Sequence, residues 1–113
     1  MATGRTREIV FKYAVPSTEV IRLSDVSLYN GNITQILRHW PNGCNALVDV
    51  AVGYEGESIL PNNGYVSLND VTVITAGLHE PINKDNNIWV EIANADAVHT
   101  HTITLTVTVT EEI

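Results

Sequence analysis

Cysteine is almost missing from this chain of 113 residues, where Cys44 stands alone. One thiol excludes an intramolecular disulfide and a zinc site built from several cysteines, and it suits folding in a reducing cytosol. Positive charge is scarce as well, with six Lys and Arg against thirteen Asp and Glu and a net charge of −7. Arg5 and Arg7 supply two of the six, so residues 8–113 hold the other four with all thirteen acids, a net of −9. A body of that sign repels phosphate backbones, which argues against a nucleic-acid partner. No apolar run reaches the roughly 18 residues that would suggest a membrane span, and Met1–Glu8 lacks the apolar centre of a secretory signal. Charged residues amount to only 17%, against about 25% in typical soluble domains. The neutral surface this leaves favours a protein that assembles over one that stays free.

Chemistry-bearing patterns are equally thin. There is no phosphate-binding glycine loop and no Asp-x-Asp-x-Asp-Gly calcium loop, and the acids are scattered rather than paired. Cys44 follows the turn Pro41-Asn42-Gly43 with His39 five residues back, but no helix start is predicted beside it to activate the thiol, so a small core hydrophobe is the better reading. His99 and His101 form an H-x-H pair on one face of a strand. Two imidazoles at that spacing can grip a metal if a neighbouring strand adds a third ligand, for which His39, His79 and Cys44 are the candidates. The residues after His101, Thr102-Ile103-Thr104-Leu105, lack the glutamate of a cupin-type site. Hydrogen-bonded structural histidines are therefore expected, with no metal and no cofactor. Trp40 and Trp89 are the candidates for a sugar-stacking platform, although core or interface packing is the commoner fate of tryptophan. With seven aromatic residues in all, a carbohydrate cleft would need nearly every exposed one.

What is present is β pattern. Every even position from Thr100 to Thr110 is threonine, alternating with His101, Ile103, Leu105, Val107 and Val109. Period 2 and β-branching together specify a long strand with one dry face and one hydroxyl face. The hydroxyl face must meet solvent or another chain. Further strands are expected over Ile9–Val15, Glu19–Leu23, Ile33–Trp40, Cys44–Val52, Val71–Ala76 and Ile88–Ala93. The pairs Asn30-Gly31, Asn42-Gly43 and Asn63-Gly64 mark turns between them. The length fits one domain, one able to bury roughly 65% of its unfolded surface. The expectation is a single all-β, antiparallel β-sandwich over 8–113, Ig-like or jelly-roll, preceded by a flexible N-terminal arm, 1–7.

An arginine-bearing arm thus precedes a small acidic β domain with the turns His39-Trp40-Pro41-Asn42-Gly43-Cys44 and Leu60-Pro61-Asn62-Asn63-Gly64-Tyr65, ending on His99-Thr100-His101-Thr102-Ile103. In layout and composition this resembles the small β-sandwich virion proteins of tailed phages and related viruses, such as head decoration (cement) proteins. The resemblance implies a capsid decoration protein of the virion surface, made in the host cytoplasm, with no catalytic role. Its partners would be the major capsid protein or another virion protein and itself, as a homotrimer. Arg5, Arg7, Trp40 and Trp89 are the candidate contacts. The alternatives are a carbohydrate- or host-surface-binding module using Trp40, Trp89 and the Asn-Gly loops, and a small cupin-type metalloprotein.

Overall fold

A computed structural model describes residues 4–61 and 64–112 of the chain. Among the described residues ten strands run in the order β1 (Thr6–Val15), β2 (Val20–Val26), β3 (Gly31–Trp40), β4 (Val48–Tyr54), β5 (Glu57–Leu60), β6 (Val66–Ser67), β7 (Val71–Thr75), β8 (Glu80–Ile82), β9 (Asn87–Asn94) and β10 (His101–Glu111). Sheet A has the order β1-β10-β3-β7, with β8 also on β3, and sheet B has the order β2-β9-β4-β5, with β6 also on β4. All pairings are antiparallel.

The pairing resolves the topology that hydrophobic pattern leaves open. β1 pairs with β10, β2 with β9, β3 with β7 and β4 with β5. The chain is therefore one long antiparallel ribbon, doubled back at β4–β5 and rolled so that alternate rungs fall in opposite sheets. That is a jelly-roll.

The threonine strand behaves as its period requires. In β10 the odd residues from His101 to Val109 are buried, while Thr102 to Thr110 face outward. Ile33, Ile36 and Trp40 of β3 and Val48, Val50 and Val52 of β4 meet them in the core, all with no exposed surface. The spacing of three between Ile33 and Ile36 breaks a period of 2. It is accommodated by a bulge, where Thr108 pairs with Gln35 and Val109 with Ile33, leaving Thr34 as the extra residue. The bulged Thr34 carbonyl is not wasted, since it accepts the Leu78 N–H at 3.0 Å.

Two boundaries differ from expectation. β4 begins at Val48, not Cys44. Cys44–Leu47 is a turn in which the Leu47 N–H donates to the Cys44 carbonyl at 2.8 Å. Asn45 and Ala46 there have φ of 49° and 58°, left-handed values that no strand residue adopts. The expected arm, 1–7, overlaps β1 at its last two residues. Thr6 and Arg7 already belong to β1, opposite Thr110 and Val109, because the even threonines of β10 continue far enough to pair them. Met1–Thr3 lie outside the described residues.

Candidate interaction surfaces

The outer face of sheet A is assembled from the residues that alternation turns away from the core. Across the strands, Val10 lies beside Thr106, Thr106 beside Leu37, and Leu37 beside Ile74. The result is a row of apolar groups and one threonine methyl crossing four strands, roughly 15 Å at ordinary strand spacing. Val10 is 60% exposed and Ile74 56%. A parallel row of Lys12, Thr104, His39 and Thr72 flanks it. There His39 Nδ1 and Thr72 Oγ1 lie 2.8 Å apart. On the other side Glu8 lies beside Thr108. This face is neutral along its centre, with hydroxyls between the apolar groups.

The outer face of sheet B is built differently. Trp89 of β9 lies opposite Gly53 of β4, and a Cβ on Gly53 would run into the indole and the Glu57 carbonyl. Only glycine lets the ring lie flat there. The indole Nε1–H donates to the Glu55 carbonyl at 2.8 Å, and the Arg22 guanidinium stands 4.2 Å above the ring centre. Beside it is a shallow depression of about 230 Å³ lined by Arg22, Ser24, Glu55, Asn87 and Trp89. Further along the face, Tyr65 donates to Glu91 and Ser67 to Asp49. The hydrogen bond that the Tyr65 phenol donates to Glu91, and then the negative charge of that carboxylate, raise the phenol above its ordinary pKa.

The four expected contact residues do not converge. Trp40 has no exposed surface and donates its Nε1–H to the Val48 carbonyl at 3.0 Å. It is a core residue, because the bulge in β3 turns it inward with Ile36. Trp89 is half-buried on sheet B with its ring between Gly53 and Arg22. The two tryptophans therefore form no shared platform for a sugar ring. Arg5 and Arg7 each face an acidic group of the chain itself. Arg5 makes a paired contact with Glu111, Nη2 to Oε2 at 2.7 Å and Nε to Oε1 at 2.9 Å, and lies over the Tyr29 ring. These bonds, with the Arg5 backbone N–H, hold the Glu111 carboxyl down at about 2. Arg7 donates to the Val26 carbonyl at 3.2 Å and reaches Asp25 at 3.5 Å.

The opposite end holds a polar knot. His101 Nε2 meets Asp96 Oδ2 at 2.9 Å, both side chains being buried. Asp96 Oδ1 also accepts the backbone N–H groups of Val98 and His99 at 2.9 and 3.1 Å. The His101 bond first, then these two, bring the Asp96 pKa down to about 2. Asn94 ties the loop to the neighbouring strand end through the Val15 and His99 carbonyls, both at 3.0 Å. Among the described residues no three His, Cys, Asp or Glu side chains come together as a metal site. His101 is instead a hydrogen-bonded structural histidine whose partner is a carboxylate. Cys44 is buried, and burial, then the Asp96 charge, raise its pKa. Both effects oppose a thiolate.

Sequence reasoning misses Arg38, which points inward between Ile36 and Trp40 and is 7% exposed. It donates to Thr75 Oγ1 at 3.4 Å, while its Nε has no partner among the described residues. No pattern distinguishes it from the surface arginines, because alternation alone puts it on the inner face only once the bulge is known.

No protein-family model matches the chain, and no curated protein matches it in sequence. Solved structures are similar to it to differing degrees. One is a chain of the Cyanophage Pam1 capsid asymmetric unit, at 10% identity and TM-score 0.60, covering 97% of this chain and 87% of that one. FLHE matches at 10% identity and TM-score 0.48, covering 96% and 98%. An exo-beta-1,3-galactanase from Phanerochaete chrysosporium matches at 13% identity and TM-score 0.44, over 94% of this chain but 29% of the enzyme. The resemblance to a virion β-sandwich thus holds at the level of the fold, across nearly the whole chain.

Proposed function

We propose that this chain is a structural protein of a virus particle surface, a decoration or cement protein that docks on the capsid lattice and has no catalytic role. The supporting observation is the whole-chain likeness to a chain of a phage capsid asymmetric unit. The outer face of sheet A supplies the docking surface in this reading. Its row of Val10, Thr106, Leu37 and Ile74 crosses four strands and is uncharged, the composition of an interface core with a polar rim. The partner is the major capsid protein or another virion protein, and the chain also associates with itself. It is made in the host cytoplasm and acts on the particle exterior, where a net charge of −7 keeps it away from packaged nucleic acid.

The test is co-sedimentation of the purified chain with particles assembled from the capsid protein encoded in the same genome, followed by imaging of the decorated particles. Saturable binding at fixed lattice positions is expected. Failure to bind such particles, or a genome without capsid genes, overturns the reading.

A further inference from the structure

Among the described residues β1 forms one edge of sheet A and pairs with β10 alone. Which of its backbone groups are unused follows from the ladder. The Arg5 carbonyl accepts the Glu111 N–H at 2.7 Å, so Arg5 and Glu111 form a hydrogen-bonded pair. The β1–β10 register then runs without a slip. Antiparallel pairing alternates, so the odd residues of β1 bond to β10 and the even ones do not. The N–H and C=O groups of Thr6, Glu8, Val10, Lys12 and Ala14 therefore point at the open edge. The same five side chains are all exposed.

We propose that this edge binds a second copy of the chain, β1 against β1 in antiparallel register, with the two-fold axis at Val10. Free even residues must pair with free even residues, which limits the register to steps of two. Centring on Val10 puts Glu8 opposite Lys12 of the copy and Lys12 opposite Glu8 of the copy, so both charged pairs are satisfied at once. Thr6 then faces Ala14 of the copy. A shift of one step either way sets Glu8 opposite Val10 or opposite Ala14 and loses both pairs. Neither Glu8 nor Lys12 makes an ion pair within its own chain among the described residues. Charges on an edge strand commonly serve to prevent pairing. Here one acid and one base stand two residues either side of an exposed valine, an order that is its own complement under a two-fold axis. Main-chain bonds supply the adhesion, and the charge pairs select the register. The resemblance implies three copies, whereas this edge joins two. The contact does not depend on the virion reading.

Analytical ultracentrifugation of the wild-type chain and four variants tests it. Wild type is expected to show a monomer–dimer equilibrium. Glu8→Lys or Lys12→Glu alone puts like charges opposite each other and weakens the dimer about tenfold or more. Their double variant restores self-association, and an equimolar mixture of the two single variants gives a heterodimer. Val10→Pro removes the central edge donor without touching the β10 ladder and abolishes the dimer. Circular dichroism melts confirm that each variant is folded. Wild type that stays monomeric at sub-millimolar concentration overturns the proposal. So do single charge variants that associate as wild type does, or a mixture that forms no heterodimer.

Discussion

The two outer faces of the sandwich are made of the same strand geometry and have opposite economies of contact. On sheet B the polar and aromatic groups are satisfied by one another: Trp89 by Gly53, Glu55 and Arg22, Tyr65 by Glu91, and Ser67 by Asp49. The exposed valines of that face, Val20 and Val26, stand apart at the two ends of the edge strand β2 with Arg22 and Ser24 between them. On sheet A the centre of the face is Val10, Thr106, Leu37 and Ile74, which have little to bond within the chain. A face whose groups are already paired gains little by meeting a partner, because it must first break what it has. One with unpaired apolar area gains the burial outright. The contrast teaches where to look for a partner when aromatic residues, the usual guide, point to the wrong side.

The strongest way to break the contrast is at Gly53. Gly53→Ala places a methyl where the Trp89 indole and the Glu57 carbonyl lie, so the ring must leave the sheet. A loss of about 1–3 kcal/mol of folding stability is expected, as for other overpacked sites, measured by chemical denaturation. Tryptophan emission should shift red in the native state, since Trp40 remains buried and only Trp89 becomes wet. A variant as stable as wild type would mean that the indole is not held as described.

Sheet A is tested by a charge in its apolar row. Ile74→Glu lies on an exposed side chain, so stability should change by no more than about 0.5 kcal/mol. Binding to capsid particles should fall about tenfold or more, since an uncompensated charge is desolvated in the interface. Ser24→Glu on the outer face of sheet B should leave particle binding unchanged. Equal losses from both would erase the distinction between the faces.

Acid sensitivity belongs to neither face. The two strongly depressed carboxyls, Asp96 and Glu111, each at about 2, sit at the ends of the sandwich. Their pKa values are lower folded than unfolded, so their contribution is fully present above the ordinary carboxylate range. It is lost as pH falls through that range toward about 2. The melting temperature of the wild type should therefore drop on acidification in that window. Asp96→Asn should lower it at neutral pH and flatten the acid limb. An Asp96→Asn chain with the full wild-type acid limb would remove Asp96 as its source.

Much of this was legible from the residues. The threonine alternation in β10, the dry face opposite it and the all-β sandwich follow from period and β-branching, which act locally. Four things were not. The turn at Cys44–Leu47 mimics a strand, because Cys44 and Ala46 continue the alternation into Val48. Only the Asn69 side chain, which accepts the Gly43 and Asn45 N–H groups at 3.1 and 2.9 Å, reveals why the backbone turns there. That acceptor is remote in sequence. Arg38 and Trp40 were hidden by the bulge at Thr34. The partner of His101 is Asp96, five residues away across a loop whose conformation the carboxylate itself fixes. Short strands such as β6 and β8 carry too few residues for a period to register, and their existence is decided by the sheets they join.

The mildest test concerns Arg22. Its guanidinium covers the solvent side of Trp89 at 4.2 Å without touching the fold beneath. A cation over an indole at an exposed site contributes about 0.5–1 kcal/mol, so Arg22→Ala should cost no more than that. The indole itself should stay in place, because its other face rests on Gly53 and its Nε1–H is held by the Glu55 carbonyl. The change should therefore be seen in access rather than position. Acrylamide quenching of the native protein should increase, with little shift in emission wavelength, whereas Gly53→Ala should produce both. Arg22→Lys should recover part of the stability and little of the shielding, since an ammonium covers less of the ring than a planar guanidinium does. If Arg22→Ala instead shifts emission as far as Gly53→Ala, the arginine holds the ring down, and the self-sufficiency of sheet B rests on a single exposed cation.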